Sequence, residues 1–337
     1  MAVCRHNKWR CARPLSAALL LMLSAIAPAP AQERTVNDLV SAVVRIKTYI
    51  NPDARTGDNL GHRREGSGVV LDNNGLVLTI GYLMVEAQAA EVVTLEGRTV
   101  PANIVGYDHE TGFGLLQASL PLNVAPMPMG SSADVKQQDQ LLVISYGGAS
   151  RVGAALVVSK REFAGSWEYL LPDAIFTAPP HPMWSGAALV NREGKLVGIG
   201  SLVVEDASGQ GVRMPGNMFV PIDRLPPILG DLMANGHSSE PPTPWLGINT
   251  EEAGGKLIVS RAVPGGPAEK AGIKRGDIVL GIDGQSSHDL NEFYRKIRSL
   301  GSAGVTVPLD IERDGDKRRI DIKSMNRRDH LKLDSTL

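Results

Sequence analysis

The sequence predicts a mainly β protein in two parts, and three observations predict it. Short β-type runs recur with Gly, Asn and Asp turns from residue 40 to residue 222. A polar, Pro-rich stretch follows at 235–244, the composition of an interdomain linker. Beyond it lies a shorter unit that mixes strand and helix patterns. The clearest strands of the first part, in order, are Val43–Lys47, Gly68–Leu71, Leu76–Thr79, Glu91–Leu95, Gln140–Tyr146, Ala154–Val158 and Lys195–Ile199. Asn73-Asn74-Gly75 and Glu96-Gly97-Arg98 are hairpin-type turns. Many evenly spaced short strands argue a β-barrel or sandwich. Pro221 to about Met233 reads as a helical stretch closing this part. In the second part, a helix is expected near Leu290 to Leu300, followed by a strand and turn over Thr306–Gly315.

The chain opens with a segment that reads as a secretory signal. Arg5, Lys8, Arg10 and Arg13 precede a short apolar run, Leu15 to Ile26, and Ala29-Pro30-Ala31 offers a cleavage site after Ala31. An uncleaved anchor is the alternative, although the run is short of the ~20 apolar residues a span needs. Both cysteines, Cys4 and Cys11, lie ahead of that run, so the mature chain has no disulfide, thiol nucleophile or Cys-based zinc site. Lys+Arg number 35 against 36 Asp+Glu; without the four basic residues of the leader, 31 stand against 36. There is no basic excess to attract nucleic acid. No zinc spacing, P-loop or dinucleotide fingerprint occurs, so no cofactor is implied.

Four motifs carry the chemistry. Met183-Trp184-Ser185-Gly186-Ala187-Ala188-Leu189 precedes a strand-like run. Gly66-Ser67-Gly68-Val69-Val70-Leu71-Asp72 leads to Leu78-Thr79-Ile80-Gly81-Tyr82-Leu83-Met84. Val105-Gly106-Tyr107-Asp108-His109-Glu110-Thr111-Gly112-Phe113-Gly114-Leu115-Leu116 follows. Together they resemble the G-N-S-G-G-P-L, G-S-G-[VI]-[VI]-[IL]-D…[IL]-L-T-N-A-H and V-G-x-D-x-x-T-D-L-A-[VL]-L runs of the HtrA/Deg family of trypsin-fold serine proteases. Last, Trp245-Leu246-Gly247-Ile248, then Val263-Pro264-Gly265-Gly266-Pro267-Ala268-Glu269-Lys270-Ala271-Gly272-Ile273 and Arg275-Gly276-Asp277, resemble a bacterial PDZ domain. Glu251 to Gly255 makes a tight connection where that family often has an insertion.

The resemblance implies a trypsin-like double six-stranded β-barrel followed by an α+β PDZ domain. The boundaries it suggests are signal peptide 1–31, protease-fold domain 32–234, linker 235–244, PDZ domain 245–326 and C-terminal tail 327–337. It also implies that Ser185 stands at the nucleophile position, Tyr82 in place of the base His, Gly112 in place of the orienting Asp, and Met183 at the oxyanion-hole position. A serine hydroxyl needs an adjacent base, and the base needs an acceptor to hold its tautomer. A tyrosine with its usual pKa of about 10 is a poor base at pH 7, and glycine supplies no carboxylate. Tyr82 either bonds Ser185 or fills the imidazole's space. His181 is a remote substitute base, and His109 is expected as an exposed turn histidine. Restoring Tyr82→His and Gly112→Asp is expected to return at most partial activity.

The resemblance further implies that Trp245, Leu246, Gly247 and Ile248 line a peptide site, where backbone N–H groups capture a C-terminal carboxylate. The competing occupants are the chain's own linker or tail. The functional expectation is a secreted, periplasmic HtrA-like protein, catalytically impaired, that binds peptide C-termini or unfolded envelope proteins in quality control. The alternative is an active serine endopeptidase using Ser185 in a non-standard arrangement. A scaffold for active relatives is a third reading, and the resemblance implies a homo-trimer.

Overall fold

The computed structural model describes residues 35–333. The expected signal peptide at 1–31 and the end of the expected tail, 334–337, lie outside these residues.

Helix α1 (Val36–Ser41) opens the described chain with a capping box: Thr35 Oγ1 accepts the Asp38 N–H at 3.2 Å, and Asp38 Oδ2 accepts the Thr35 N–H at 2.9 Å. Strands β1 (Val43–Ile50), β2 (Arg63–Val70), β3 (Leu76–Ile80), β4 (Ala87–Val93), β5 (Thr99–Tyr107) and β6 (Phe113–Ala118) close into a barrel in the order β1-β2-β3-β6-β5-β4. Short α2 (Gly57–Leu60) lies between β1 and β2. The Asn73–Gly75 turn forms because Asp72 Oδ1 accepts the N–H groups of Asn74 and Leu76, each at 2.9 Å, while Gly75 takes the left-handed φ of +86°.

A second barrel follows: β7 (Gln140–Ile144), β8 (Val152–Gly165), β9 (Tyr169–Ala178), β10 (Ala188–Val190), β11 (Leu196–Val204) and β12 (Gly216–Pro221), in the order β10-β11-β12-β9-β8-β7. Helix α3 (Pro226–Asn235) closes this part, ending at the left-handed Gly236. Each barrel has an interior cluster, around Val44, Ile46 and Val92 in the first and Val143, Val157 and Phe219 in the second. A larger cluster joins the two, with Leu78, Ile80 and Phe113 from one side and Ile144, Phe176 and Ile199 from the other. Burial of these rings and branched chains, at roughly 1.5–3 kcal/mol each, fixes the seam on which Tyr82 packs.

The last unit is a sheet of order β13-β14-β15-β17-β18: β13 (Ile248–Ala253), β14 (Lys256–Ala262), β15 (Ile278–Ile282), β17 (Thr306–Arg313) and β18 (Asp316–Lys323), with β16 (Gln285–Ser286) paired to β15. Helix α4 (Pro267–Lys270) lies in the Pro-Gly motif, and α5 (Leu290–Ser299) is amphipathic. Leu290, Phe293, Tyr294 and Ile297 form its buried face at helical spacing, and Asp289 caps it by accepting the Glu292 N–H. The tight connection expected at Glu251–Gly255 is a β13–β14 hairpin, with Gly254 and Gly255 both at positive φ. The mainly β fold, two closed barrels and a PDZ-type sheet are as the sequence predicts.

Residues 327–333 are not a loose tail. Helix α6 (Arg327–His330) sets the His330 ring 4.8 Å from the Trp245 ring, and the Lys332 N–H donates to Glu86 Oε1. No helix among the described residues is long and apolar enough to cross a membrane.

Candidate functional site

Ser185 lies in the turn between β9 and β10, locked to β2. The Ser67 N–H donates to the Ser185 carbonyl at 2.8 Å. Gly186, with φ +72°, presses against β2 so closely that a Cβ there would stand 2.0 Å from the Ser67 carbonyl oxygen. The turn therefore keeps its shape through contacts between the barrels.

Tyr82 reaches Ser185 from the 3₁₀ turn after β3. Buried Arg64 pins that turn, donating from Nη1 to the carbonyls of Tyr82 at 2.7 Å and Val85 at 3.1 Å. The Tyr82 hydroxyl is 2.8 Å from Ser185 Oγ and 2.9 Å from the Ser201 carbonyl oxygen. A carbonyl only accepts, so the phenol proton points to Ser201 and the Ser185 hydroxyl donates to the phenol oxygen. Burial pushes the Tyr82 phenol up to about 12. Tyr82 thus both bonds Ser185 and fills the space: its ring packs on the core that joins the barrels.

Gly112 stands behind Tyr82 in the left-handed region, at φ +78°. Its carbonyl accepts the Gly81 N–H at 2.6 Å. The Tyr169 hydroxyl, which donates to the Thr111 carbonyl, lies 3.4 Å from where a Cβ at 112 would be. An aspartate there would be strained and would meet a phenol, so the expected rescue by Gly112→Asp loses part of its footing.

Met183 and His181 form a pair of their own. The Met183 N–H donates to His181 Nδ1 at 3.2 Å, and the His181 N–H donates to Asn217 Oδ1 at 2.6 Å. With Nδ1 accepting, the ring proton sits on Nε2 in the neutral tautomer, and burial lowers the ring's affinity for a second proton. The Nδ1 lone pair of His181 is thus taken up by the Met183 N–H.

His109 corrects its expectation. It is not exposed: Tyr107 Oη lies 3.0 Å from its Nδ1, Arg327 Nη1 lies 2.7 Å from its Nε2, and the Tyr169 ring meets it edge-on. Burial, then the charges of Arg327 and Arg298, hold it well below the usual histidine value. Trp184 is half-buried and lines an open cavity of about 830 Å³ with Tyr82, Trp167, Tyr169, Leu202 and Ile248.

A second constellation lies in the PDZ-type unit. The N–H of Leu246 donates to Glu168 Oε2 at 2.7 Å, and those of Gly247 and Ile248 donate to Glu168 Oε1 at 2.7 and 2.8 Å. Three of the four expected residues thus converge on one carboxylate. Trp245 does not join them, because its N–H and carbonyl pair with Met325. Glu168 sits at the tip of the β8–β9 hairpin, and no sequence signal linked it to a loop about 80 residues away. Nor did any signal mark Arg64 or Tyr169.

Two domain families match the chain: a trypsin-like peptidase domain over residues 66–199 and a PDZ domain over 244–324. "Serine protease PepD" of Mycobacterium tuberculosis is 27% identical over 85% of this chain and 64% of its own length. "Probable periplasmic serine protease do/HhoA-like" of Haemophilus influenzae is 28% identical over 77% of this chain and 57% of its own length. The chain therefore spans less than two thirds of either relative. Among solved structures, "HtrA-type protease AlgW with decapeptide" has a TM-score of 0.50 and 23% identity, covering 88% of this chain and 98% of that one. This last likeness concerns the fold.

Proposed function

We propose that this chain, a trypsin-like domain joined to a PDZ domain in the HtrA/DegP order, is a periplasmic peptide-binding protein of envelope quality control whose Ser185 site is catalytically silent. The observation that carries the reading is the partner of the Ser185 hydroxyl. A nucleophilic serine must hand its proton to a base. Tyr82 keeps its own proton: with its pKa at about 12, the phenolate at pH 7 is on the order of one part in 10⁵. Neutral phenol oxygen accepts a hydrogen bond without taking the proton. His181 is turned to Met183, which also withdraws the Met183 N–H from a developing oxyanion. Gly112 has no side chain to orient anything.

Binding is the activity that remains. A cradle of three N–H groups suits a carboxylate, and a peptide C-terminus presents one next to a strand-forming backbone. The periplasmic names among the relatives and the signal-like leader fit export. C-terminal peptides selected by display on the mature protein are expected to bind at micromolar strength, about −8 kcal/mol. Amidating their C-termini should weaken binding strongly, as should a bulky residue at Gly247, whose φ is +78°. Equal binding of free and amidated peptides would rule out the cradle as the working surface.

A further inference from the structure

Glu168 is held in a way that a hairpin turn alone does not require. Its backbone adopts φ +62°, a region that costs a non-glycine residue free energy. Its side chain is partly buried, and both carboxylate oxygens accept N–H groups of the 246–248 loop. The neighbouring Ser166 carbonyl accepts the Thr250 N–H at 2.9 Å, a β13 donor of the kind an added strand would use. The Glu168 N–H faces Tyr294 Oη of α5 at 3.3 Å. Leu170, just past the tip, packs into the core of the PDZ-type unit. The hairpin tip thus lies between β13 and α5.

We infer that Glu168 is an internal ligand of the carboxylate cradle, so that the peptide groove is self-occupied and a C-terminal carboxylate must displace the β8–β9 hairpin tip to bind. This rests on the peptide-binding reading above. Glu168 and a peptide C-terminus compete for the same three donors, so the apparent peptide affinity is the intrinsic one scaled by the fraction of molecules with the tip released.

The competition depends on pH. Burial raises the Glu168 carboxyl to about 7, against the pull of the three N–H groups and of Arg327 from α6. Tyr294 of α5 faces it, and His109, from the turn between β5 and β6, bonds its backbone. A released glutamate returns to about 4.3. The docked form therefore binds a proton more readily than the released form. Docking is strongest below the released value and weakens as pH rises through about 7. Peptides should gain access as pH rises.

Glu168→Gly tests this on the mature full-length protein, since glycine accepts a positive φ without strain. Amide hydrogen exchange at Leu246–Ile248 should accelerate about tenfold or more, and a display-selected C-terminal peptide should bind about tenfold more tightly, the size set by a tip released in about one molecule in ten. The affinity advantage of Glu168→Gly over wild type should shrink between pH 5.5 and pH 8. Unchanged exchange at these amides overturns self-occupancy. Faster exchange with equal peptide affinity overturns the competition. Faster exchange with no peptide bound by either protein supports self-occupancy and sinks the peptide-binding reading instead.

Discussion

The double variant Tyr82→His, Gly112→Asp is expected to show no Ser185-dependent hydrolysis of casein above background. Placing an imidazole at 82 supplies a base, but three features stand against it. Residue 112 has φ +78°, where an aspartate costs about 1–2 kcal/mol relative to a right-handed conformation. The Tyr169 hydroxyl lies 3.4 Å from the Cβ position, so the carboxylate meets a phenol before it meets an imidazole. The Met183 N–H already donates to His181 Nδ1, and loss of one oxyanion donor alone costs about 10²–10³ in turnover. Adding Tyr169→Phe, Met183→Gly and Trp184→Asn should be needed before any Ser185-dependent rate emerges. The assay compares each variant with the same variant carrying Ser185→Ala. Robust turnover from the double variant would mean that the turn and Gly112 are more adaptable than their contacts indicate.

Gly186→Ala is expected to destabilise the protein severely, although Ser185 does no chemistry in this account. The new Cβ would stand 2.0 Å from the Ser67 carbonyl oxygen and 2.8 Å from Thr79 Oγ1, which itself donates to that carbonyl. The backbone at φ +72° adds strain that only glycine avoids. Relieving the overlap means parting the nucleophile turn from β2, at a cost of about 3 kcal/mol or more. At roughly 2–4 °C per kcal/mol, Tm should fall by about 6–12 °C. Gly230→Ala in α3 is the control: it meets nothing within 4 Å and should be neutral or stabilise by up to about 1 kcal/mol. Equal melting of the two variants would show that the barrels are not interlocked at the turn.

What the sequence made legible follows the range of the interactions. Strand runs, glycine turns and the α5 stripe are local patterns, and β1, β3, β7 and α5 lie within a few residues of their expected positions. The closeness of Tyr82 and Ser185 was legible because both occupy fixed places in recognisable runs. The direction of their hydrogen bond was not, because it depends on the Ser201 carbonyl across the cleft. His109 read as an exposed turn residue because its covering groups, Arg327 and Tyr169, are distant in the chain. Glu168 was invisible for the same reason: a glutamate in a hairpin turn looks solvated until the hairpin is long enough to reach Leu246–Ile248. The four PDZ residues were legible as a loop, but that the Trp245 N–H stands apart from the other three was not, because its partner, Met325, is distant in the chain.

If the Ser185 proton has no acceptor able to take it, the hydroxyl should be inert to a fluorophosphonate probe. Purified mature protein and a Ser185→Ala control are incubated with the probe at neutral pH, and adduct mass is read on the peptide containing residue 185. Loss of the triad serine or histidine lowers turnover by on the order of 10⁶ in a serine protease studied this way. No adduct is therefore expected on the wild-type peptide, which should be recovered at its unmodified mass just as the Ser185→Ala peptide is at its own. A stoichiometric adduct on wild type that vanishes in Ser185→Ala would contradict a catalytically silent Ser185 and favour the alternative of an active serine endopeptidase.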